Sequence, residues 1–390
     1  MMHIALLVKD FAVGEKFSKD GLPTKSGAEF HSENHAKELI KRGHTVTIFT
    51  RKRHFYTKAR ECMDGIDLVR LHEPLRGLEL LVRLLTTHKK IDAFYIIGMP
   101  SFAVWAIRFA HARNFPVTLA LTGTFEVFDK GMNWRNRIFS TCTNYVAIAH
   151  EICEGYKMHG QIPAEKISVL AQGIDTERYA VGSVEKRKRL REAHGIPSEA
   201  HVLVFCARIV LRKGVDTLLK FWPMIHAADA TARLLVVGGG EHELVRQLHE
   251  MAKETDGSAL ILGDVDQPEI YYQMADVYVL PSRAEGLPTS LLEAMATGLP
   301  AVTSDIGGCN DLVFNGETGY RVPTEDAAAF AEKILHLFED EEERKRMGDA
   351  SRALVERMCS YSVVIDKLAE IIQSKKPCGK DYLISGIEER

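Results

Sequence analysis

The chain has 390 residues, enough for two domains with a core each, and its 46% hydrophobic and 26% charged residues exclude extended disorder. A net charge of −3 excludes a global attraction to nucleic acid, and seven scattered cysteines without a CxxC pair read as reduced thiols rather than a zinc site or disulfide framework. No apolar run reaches the roughly eighteen residues needed to span a bilayer, and the apolar part of MMHIALLVKD is too short for a signal peptide. A cytoplasmic protein is expected.

Short apolar runs alternate with longer amphipathic stretches, as in βαβ units around a parallel sheet. In chain order, strands are predicted at 3–8, 44–50, 66–71, 92–98, 116–122, 145–149 and 166–171. Several are apolar almost throughout, as strands covered on both faces are. Ser26 and Gly27 open a helix ahead of the second strand, and His31 and His35 share one face of it. The two histidines lack both the HExxH spacing and a third ligand, so no metal is expected there. A second series follows at 201–207, 232–238, 259–263, 276–281 and 300–304, with helices at 213–227 and 241–254. Between the series, residues 173–200 are polar and charge-rich, with a helix near 184–194. The division expected is 1–175, 176–358 and a last helix and tail at 359–390. The stretch 325–373 reads as helices and the tail after it as polar and flexible.

Ligands of open α/β sheets sit beyond the carboxyl ends of the strands, so chemistry is sought there, in a cleft between the two domains. The string PSRAEGLPTSLLEAMATGLPAVTSD (281–305) follows a predicted strand. Glu285 lies in a loop and Glu293 about two turns into a helix predicted over 288–297. The pair suits two parts of one extended ligand. Backbone N–H groups in the stretch from Gly286 to Thr289, Pro288 having none, form a helix N-terminus, which favours phosphate. Helix capping and solvation are the bland alternatives for the two acids. In ARIVLRKG (207–214), Arg208 and Lys213 are placed to neutralise a diphosphate, while Arg212 is assigned to solvent. In VVGGGEHE (236–243), Gly239 permits close approach of a ligand, or a simple tight turn. The spacing is not that of a dinucleotide fingerprint. GDVD (263–266) needs only turn and capping roles.

Taken together, these strings resemble the retaining glycosyltransferases of family four, with Glu285 to Glu293 as their E-x7-E motif. ARIVLRKG, VVGGGEHE, GDVDQPEIYYQMADVYVLPS, EGLPTSLLEAMATGLPAV and GETGYRVP follow in the family's order. The resemblance implies a GT-B fold: two Rossmann-like α/β domains facing across a cleft, with the helix in 359–373 crossing back to the first. It implies that Arg208 and Lys213 bind the donor diphosphate, Glu285 the sugar and Glu293 the ribose. Gly286, Leu287 and Pro288 would hold sugar or phosphate, Val265 would line the base pocket, and Gly27 would approach the phosphate. No cofactor or metal is implied, and UDP- or GDP-sugars are the usual donors. Where the family often has a histidine, this chain has Thr122, Gly123 and Thr124. With His31, Thr122 and Gly123 are the acceptor-side candidates.

Three other readings stay open: a GT-B nucleotide-sugar epimerase, a sugar phosphorylase, and a silent subunit that binds sugar nucleotides. The resemblance implies a hydroxyl acceptor, whose identity the sequence does not give: a lipid-linked group or a growing glycan. The basic, aromatic segments RKRHFYTKAR (51–60) and MNWRNRIF (132–139) suit either a solvated face or contact with an anionic membrane.

Overall fold

The computed structural model describes residues 1–11, 27–52, 58–86, 90–123 and 133–383. It divides into two compact units, Met1–Gly173 with Tyr361–Arg390, and Ile174–Ser360.

The first unit is built on eight strands: β1 His3–Val8, β2 Thr45–Arg51, β3 Arg60–Met63, β4 Ile66–Leu71, β5 Ala93–Ile97, β6 Val117–Leu121, β7 Asn144–Ala147 and β8 Ile167–Val169. Their order is β3-β4-β2-β1-β5-β6-β7-β8. All pairings are parallel except that of β3 with β4. Ile4, Ala5, Leu6 and Leu7 of the central β1 are fully buried, as its apolar run requires. The sequence pattern missed β3, because RECM is polar. Its signal is the turn that follows, where Asp64 and Gly65 both take positive φ, at 47° and 80°.

The strand order reverses about β1, whose neighbours are β2 on one side and β5 on the other. On the sheet face, between β5, β6 and β7 and the helices Gly27–Lys41 and Tyr361–Gln373, lies a small cavity of about 20 Å³, lined by His31, His35, Tyr95, Thr122 and Gln172 among apolar side chains.

The helix Tyr361–Gln373 belongs to this first unit. Val364, Ile365, Leu368, Ile371 and Ile372 form its buried face. Arg42 donates to the Tyr361 carbonyl at 3.0 Å, and Asn144 to that of Ser374 at 3.0 Å. The expected helical region before it consists of Ala327–Glu339 and Glu341–Met358.

The described part of the tail, up to residue 383, departs from its expected flexibility. Val169 N donates to Lys380 O at 2.9 Å and Tyr382 N to Val169 O at 3.0 Å, so the tail runs along β8. His150 and Asp381 meet at 2.6 Å. The reason is β8 itself: a sheet edge offers unpaired N–H and C=O groups, and polar chain that satisfies them becomes ordered.

The second unit holds six parallel strands: β9 Val202–Cys206, β10 Arg233–Val237, β11 Ala259–Gly263, β12 Val277–Leu280, β13 Ala301–Ser304 and β14 Gly319–Val322. The order is β11-β10-β9-β12-β13-β14. The strand order reverses at β9, so the crevice of this sheet opens beyond the carboxyl ends of β9 and β12.

Truncation after Lys376 uncovers the edge of β8. The expected result is a melting midpoint lowered by several degrees, corresponding to roughly 1–3 kcal/mol, with self-association on size-exclusion chromatography. An unchanged midpoint and a monomeric profile would show that the tail does not protect the edge.

Candidate functional site

The site forms where the loops after β9 and β12 meet. Gly214 closes the first loop with φ 72°, and a Cβ there would fall 1.8 Å from the Pro281 carbonyl oxygen. Only glycine permits this approach. It brings Lys213 onto Glu285, although 72 residues separate them. Lys213 Nζ donates to Glu285 Oε1, which also accepts from Ser282 Oγ at 2.7 Å. The Lys213 and Glu285 side chains are only 15% and 7% exposed. Arg212 is 58% exposed, with its guanidinium 3.9 Å from Glu285 Oε2 and donating to the Ala284 carbonyl at 2.6 Å. The Arg208 side chain is exposed and has no hydrogen-bond or ionic partner among the described residues.

The glycine-rich turn serves this loop. A Cβ on Gly238 would lie 2.1 Å from the Ala207 carbonyl oxygen, and one on Gly240 would lie 2.0 Å from that of Ile209. Gly239 N donates to Asp264 Oδ1 at 2.8 Å. These glycines therefore have a structural reason to be there, namely close contact with the Arg208 loop. Val265 follows β11 and is half-buried.

After Glu285, the chain reaches the helix Thr289–Ala296 through half-buried Gly286 and buried Leu287 and Pro288. Gly308 rests on the Gly286 backbone, since a Cβ there would fall 1.9 Å from its oxygen. Tyr278 and Ser290 hydroxyls meet at 2.7 Å and pin the helix start to β12.

Glu293 is the fifth residue of this helix, little more than one turn in rather than two. It is not solvated: it is 8% exposed, and its two oxygens accept from Tyr179 and Tyr272 hydroxyls, each at 2.8 Å. Burial pushes its pKa up to about 6 from the ordinary 4.5, against the opposing effect of the two tyrosines. Local sequence gave no sign of Ser282, Tyr179 or Tyr272, because only the fold brings the tyrosines to the acid from 114 and 21 residues away.

In the first unit, Gly27 opens the helix Gly27–Lys41, while Ser26 and Thr124 lie outside the described residues. His31 and Thr122 line the small cavity, and Gly123 is exposed beside it. Burial pushes the His31 imidazole down to about 3, with His35 adding to the effect. His35 Nε2 lies 2.7 Å from the Gln172 carbonyl oxygen, consistent with a neutral ring that donates there. Among the described residues, no three His, Cys, Asp or Glu side chains gather as a metal site.

Residues 25–178 match the family model described as Glycosyltransferase Family 4, and residues 186–354 match Glycosyl transferases group 1. The chain belongs to the GT-B glycosyltransferases. This glycosyltransferase is 31% identical over 215 residues to a GDP-mannose-dependent monoacylated phosphatidylinositol monomannoside mannosyltransferase of Corynebacterium glutamicum. That match takes in 53% of this chain and 56% of the relative, so it spans little more than half of the relative's length. A D-inositol 3-phosphate glycosyltransferase of Corynebacterium urealyticum is 27% identical, over 91% of this chain and 92% of its own. Among solved structures, HepE of Anabaena in complex with UDP and glucose has TM-score 0.74 at 17% identity, covering 96% of this chain and 100% of its own. A glycosyltransferase of Rickettsia africae has TM-score 0.78 at 18% identity, covering 96% and 98%. These two likenesses support the two-domain Rossmann-like fold.

Folding raises the Glu293 pKa, so the folded state binds more protons than the unfolded state between about pH 4.5 and 6. Its stabilising contribution is present below 4.5 and is lost as pH rises through about 6. Glu293→Gln is expected to raise the melting midpoint at pH 7.5 by a few degrees, on the basis of about 2 kcal/mol. The gain should shrink at pH 5. Parallel midpoint–pH curves for the two proteins would contradict it.

Proposed function

We propose that this glycosyltransferase moves a sugar from a nucleoside-diphosphate donor to a hydroxyl with retention, using the unit Ile174–Ser360 as its donor site. The observation that carries this is the Lys213–Glu285 pair, which joins the loops after β9 and β12, with exposed Arg208 on the first of these loops. Cleavage of the sugar–phosphate bond builds positive charge at the anomeric carbon and negative charge on the departing diphosphate. Arg208 and Lys213 meet that negative charge, and so does the N-terminus of helix Thr289–Ala296. Glu285 Oε1 is committed to Lys213 and Ser282, which leaves Oε2 for a sugar hydroxyl. Glu293 receives the ribose, Gly286 to Pro288 the sugar or phosphate, and Val265 the base. Gly239 completes the proposed donor contacts in this unit, and His31, Thr122 and Gly123 of the first unit are the proposed acceptor-side residues. The diphosphate's own oxygen takes the acceptor proton, and these cations do the work of a metal.

The donor is a UDP- or GDP-sugar, since one relative's name gives GDP-mannose and one related structure holds UDP. Thermal-shift measurement with UDP-, GDP-, ADP- and dTDP-sugars should give stabilisation by one base, unaffected by EDTA. With that donor, Arg208→Ala and Lys213→Ala should each lose roughly 10²–10³-fold in kcat, while Arg212→Ala stays within about threefold of wild type. Equal activity of the three variants would remove the assignment.

The acceptor we propose is lipid-linked and presented on an anionic membrane, for assembly of a glycolipid, polysaccharide or other glycoconjugate. The chain would work from the cytoplasmic face. No helix among the described residues is long and apolar enough to cross a membrane. Surface contact has its own support. On helix Arg76–Thr86 and the residue before it, Leu75, Leu78, Val82 and Leu85 are each about half exposed or more, at helical spacing. The exposed Trp105 lies beside this stripe, its indole against Gly77. Arg108 and Arg113 on its helix Ala103–Arg113 are exposed, as are Trp134 and Arg137. Tryptophan and arginine around an apolar stripe suit a lipid headgroup layer. Residues 53–57 and 132 of the two basic segments lie outside the described residues. Co-sedimentation with phosphatidylglycerol vesicles should be salt-sensitive and fall about tenfold in Leu78→Glu/Val82→Glu. No binding at low salt, or no effect of the double substitution, would exclude this face.

A further inference from the structure

We infer that Tyr179 and Tyr272 are positioning residues that hold the Glu293 carboxylate in place to receive the vicinal hydroxyls of the donor ribose. The inference rests on the donor site proposed above and deepens it.

A carboxylate buried to 8% exposure, with no arginine or lysine in hydrogen-bond contact among the described residues, is costly to maintain. The surrounding structure spends two buried tyrosine hydroxyls on it. They arrive from different elements. Tyr272 belongs to the helix Glu269–Met274. Tyr179 lies in a turn fixed by Asp175, whose Oδ1 accepts from Glu177 N and Arg178 N at 3.0 and 2.9 Å. Arg352 then anchors the Tyr179 carbonyl at 2.7 Å. The two rings pack edge to face, with centroids 6.1 Å apart, so neither hydroxyl is free to swing away. Each donates to a different oxygen of Glu293. An ionised carboxylate accepts about four hydrogen bonds, so roughly one place remains on each oxygen. Two acceptor places side by side match a vicinal diol, which offers two donors side by side.

The same arrangement gives ribose recognition a pH dependence. Around Glu293 stand Tyr179, Tyr272, Cys206 and, behind Tyr272, Tyr278. Burial raises all four, so they stay neutral. Arg178, held by Glu269 at 2.9 Å, and Glu269 itself contribute opposing charges. Glu293, with its pKa near 6, must be ionised to accept two hydroxyls, and the tyrosines favour that ionised form.

The test compares wild type with Tyr179→Phe, Tyr272→Phe and the double variant, all of which keep the rings. The donor and its 2′-deoxy analogue are both assayed across pH 5–8. The expected result is a donor KM raised about tenfold per single substitution, with kcat nearly unchanged. The acidic limb of kcat/KM should move to higher pH. Wild type should discriminate against the deoxy donor about tenfold, and the double variant should lose most of that discrimination. A purely structural role would weaken both donors equally and leave the limb where it is, overturning the inference. So would variants with wild-type KM. If one single variant fails to fold, the other decides. A wild-type protein that binds no nucleoside diphosphate overturns the proposed function and this inference with it. Nucleotide binding with indifferent variants overturns this inference alone.

Discussion

The contact between Lys213 and Glu285 sets the terms for the rest of the second unit. Both side chains are largely withdrawn from water, and a charge left alone in such a place costs roughly 3–5 kcal/mol. Each therefore requires the other, and the loops after β9 and β12 must arrive within hydrogen-bond reach. Sheet topology supplies this. β9 and β12 are parallel neighbours, with Val277 opposite Leu203 and Tyr278 opposite Val204, so their carboxyl ends emerge together. Ser282 adds a neutral donor to the shared carboxylate oxygen, which fixes the orientation of Glu285 as well as its charge.

Backbone contacts carry that arrangement outward. Gly214 lies against Pro281, Gly238 and Gly240 against Ala207 and Ile209, and Gly308 against Gly286. A methyl group at any of these positions would meet a carbonyl oxygen at about 2 Å, so the loops would have to separate. The glycines thus act mainly as spacers between loops. The exposed arginine and the buried ion pair project from a scaffold made rigid by main-chain packing, a sound basis for a site whose groups must not reorganise as charge develops.

Glu293 illustrates the opposite balance. Its burial works against stability near neutral pH, yet the fold spends two tyrosine hydroxyls on keeping it oriented. A glutamine there would fill similar space without the charge. Retention of an acid at such a cost is the usual mark of a residue kept for binding or chemistry rather than for the fold.

Much of this molecule was legible in the chain. The predicted strands at 3–8, 66–71 and 259–263 coincide with β1, β4 and β11, most clearly at β1, where a strand buried on both faces carries its signal in nearly every residue. Polar β3 carried none, and the tail looked loose because its partner, the open edge of β8, is more than 200 residues away. The strings around Arg208, Lys213, Glu285 and Glu293 marked the family and the side of the sheet where a ligand belongs. What they left open was which oxygen meets which donor. A charged residue has the same letter whether solvated or buried, so neither the exposure of Arg208 nor the burial of Glu293 between two tyrosines was written locally. Sequence by itself determined most of the strands, though not β3 or β14, their parallel character and the identity of the charged groups, through periodicity and motif. Tertiary structure alone decided their pairing and their contact with water, because both depend on loops that come together only once the sheets have formed.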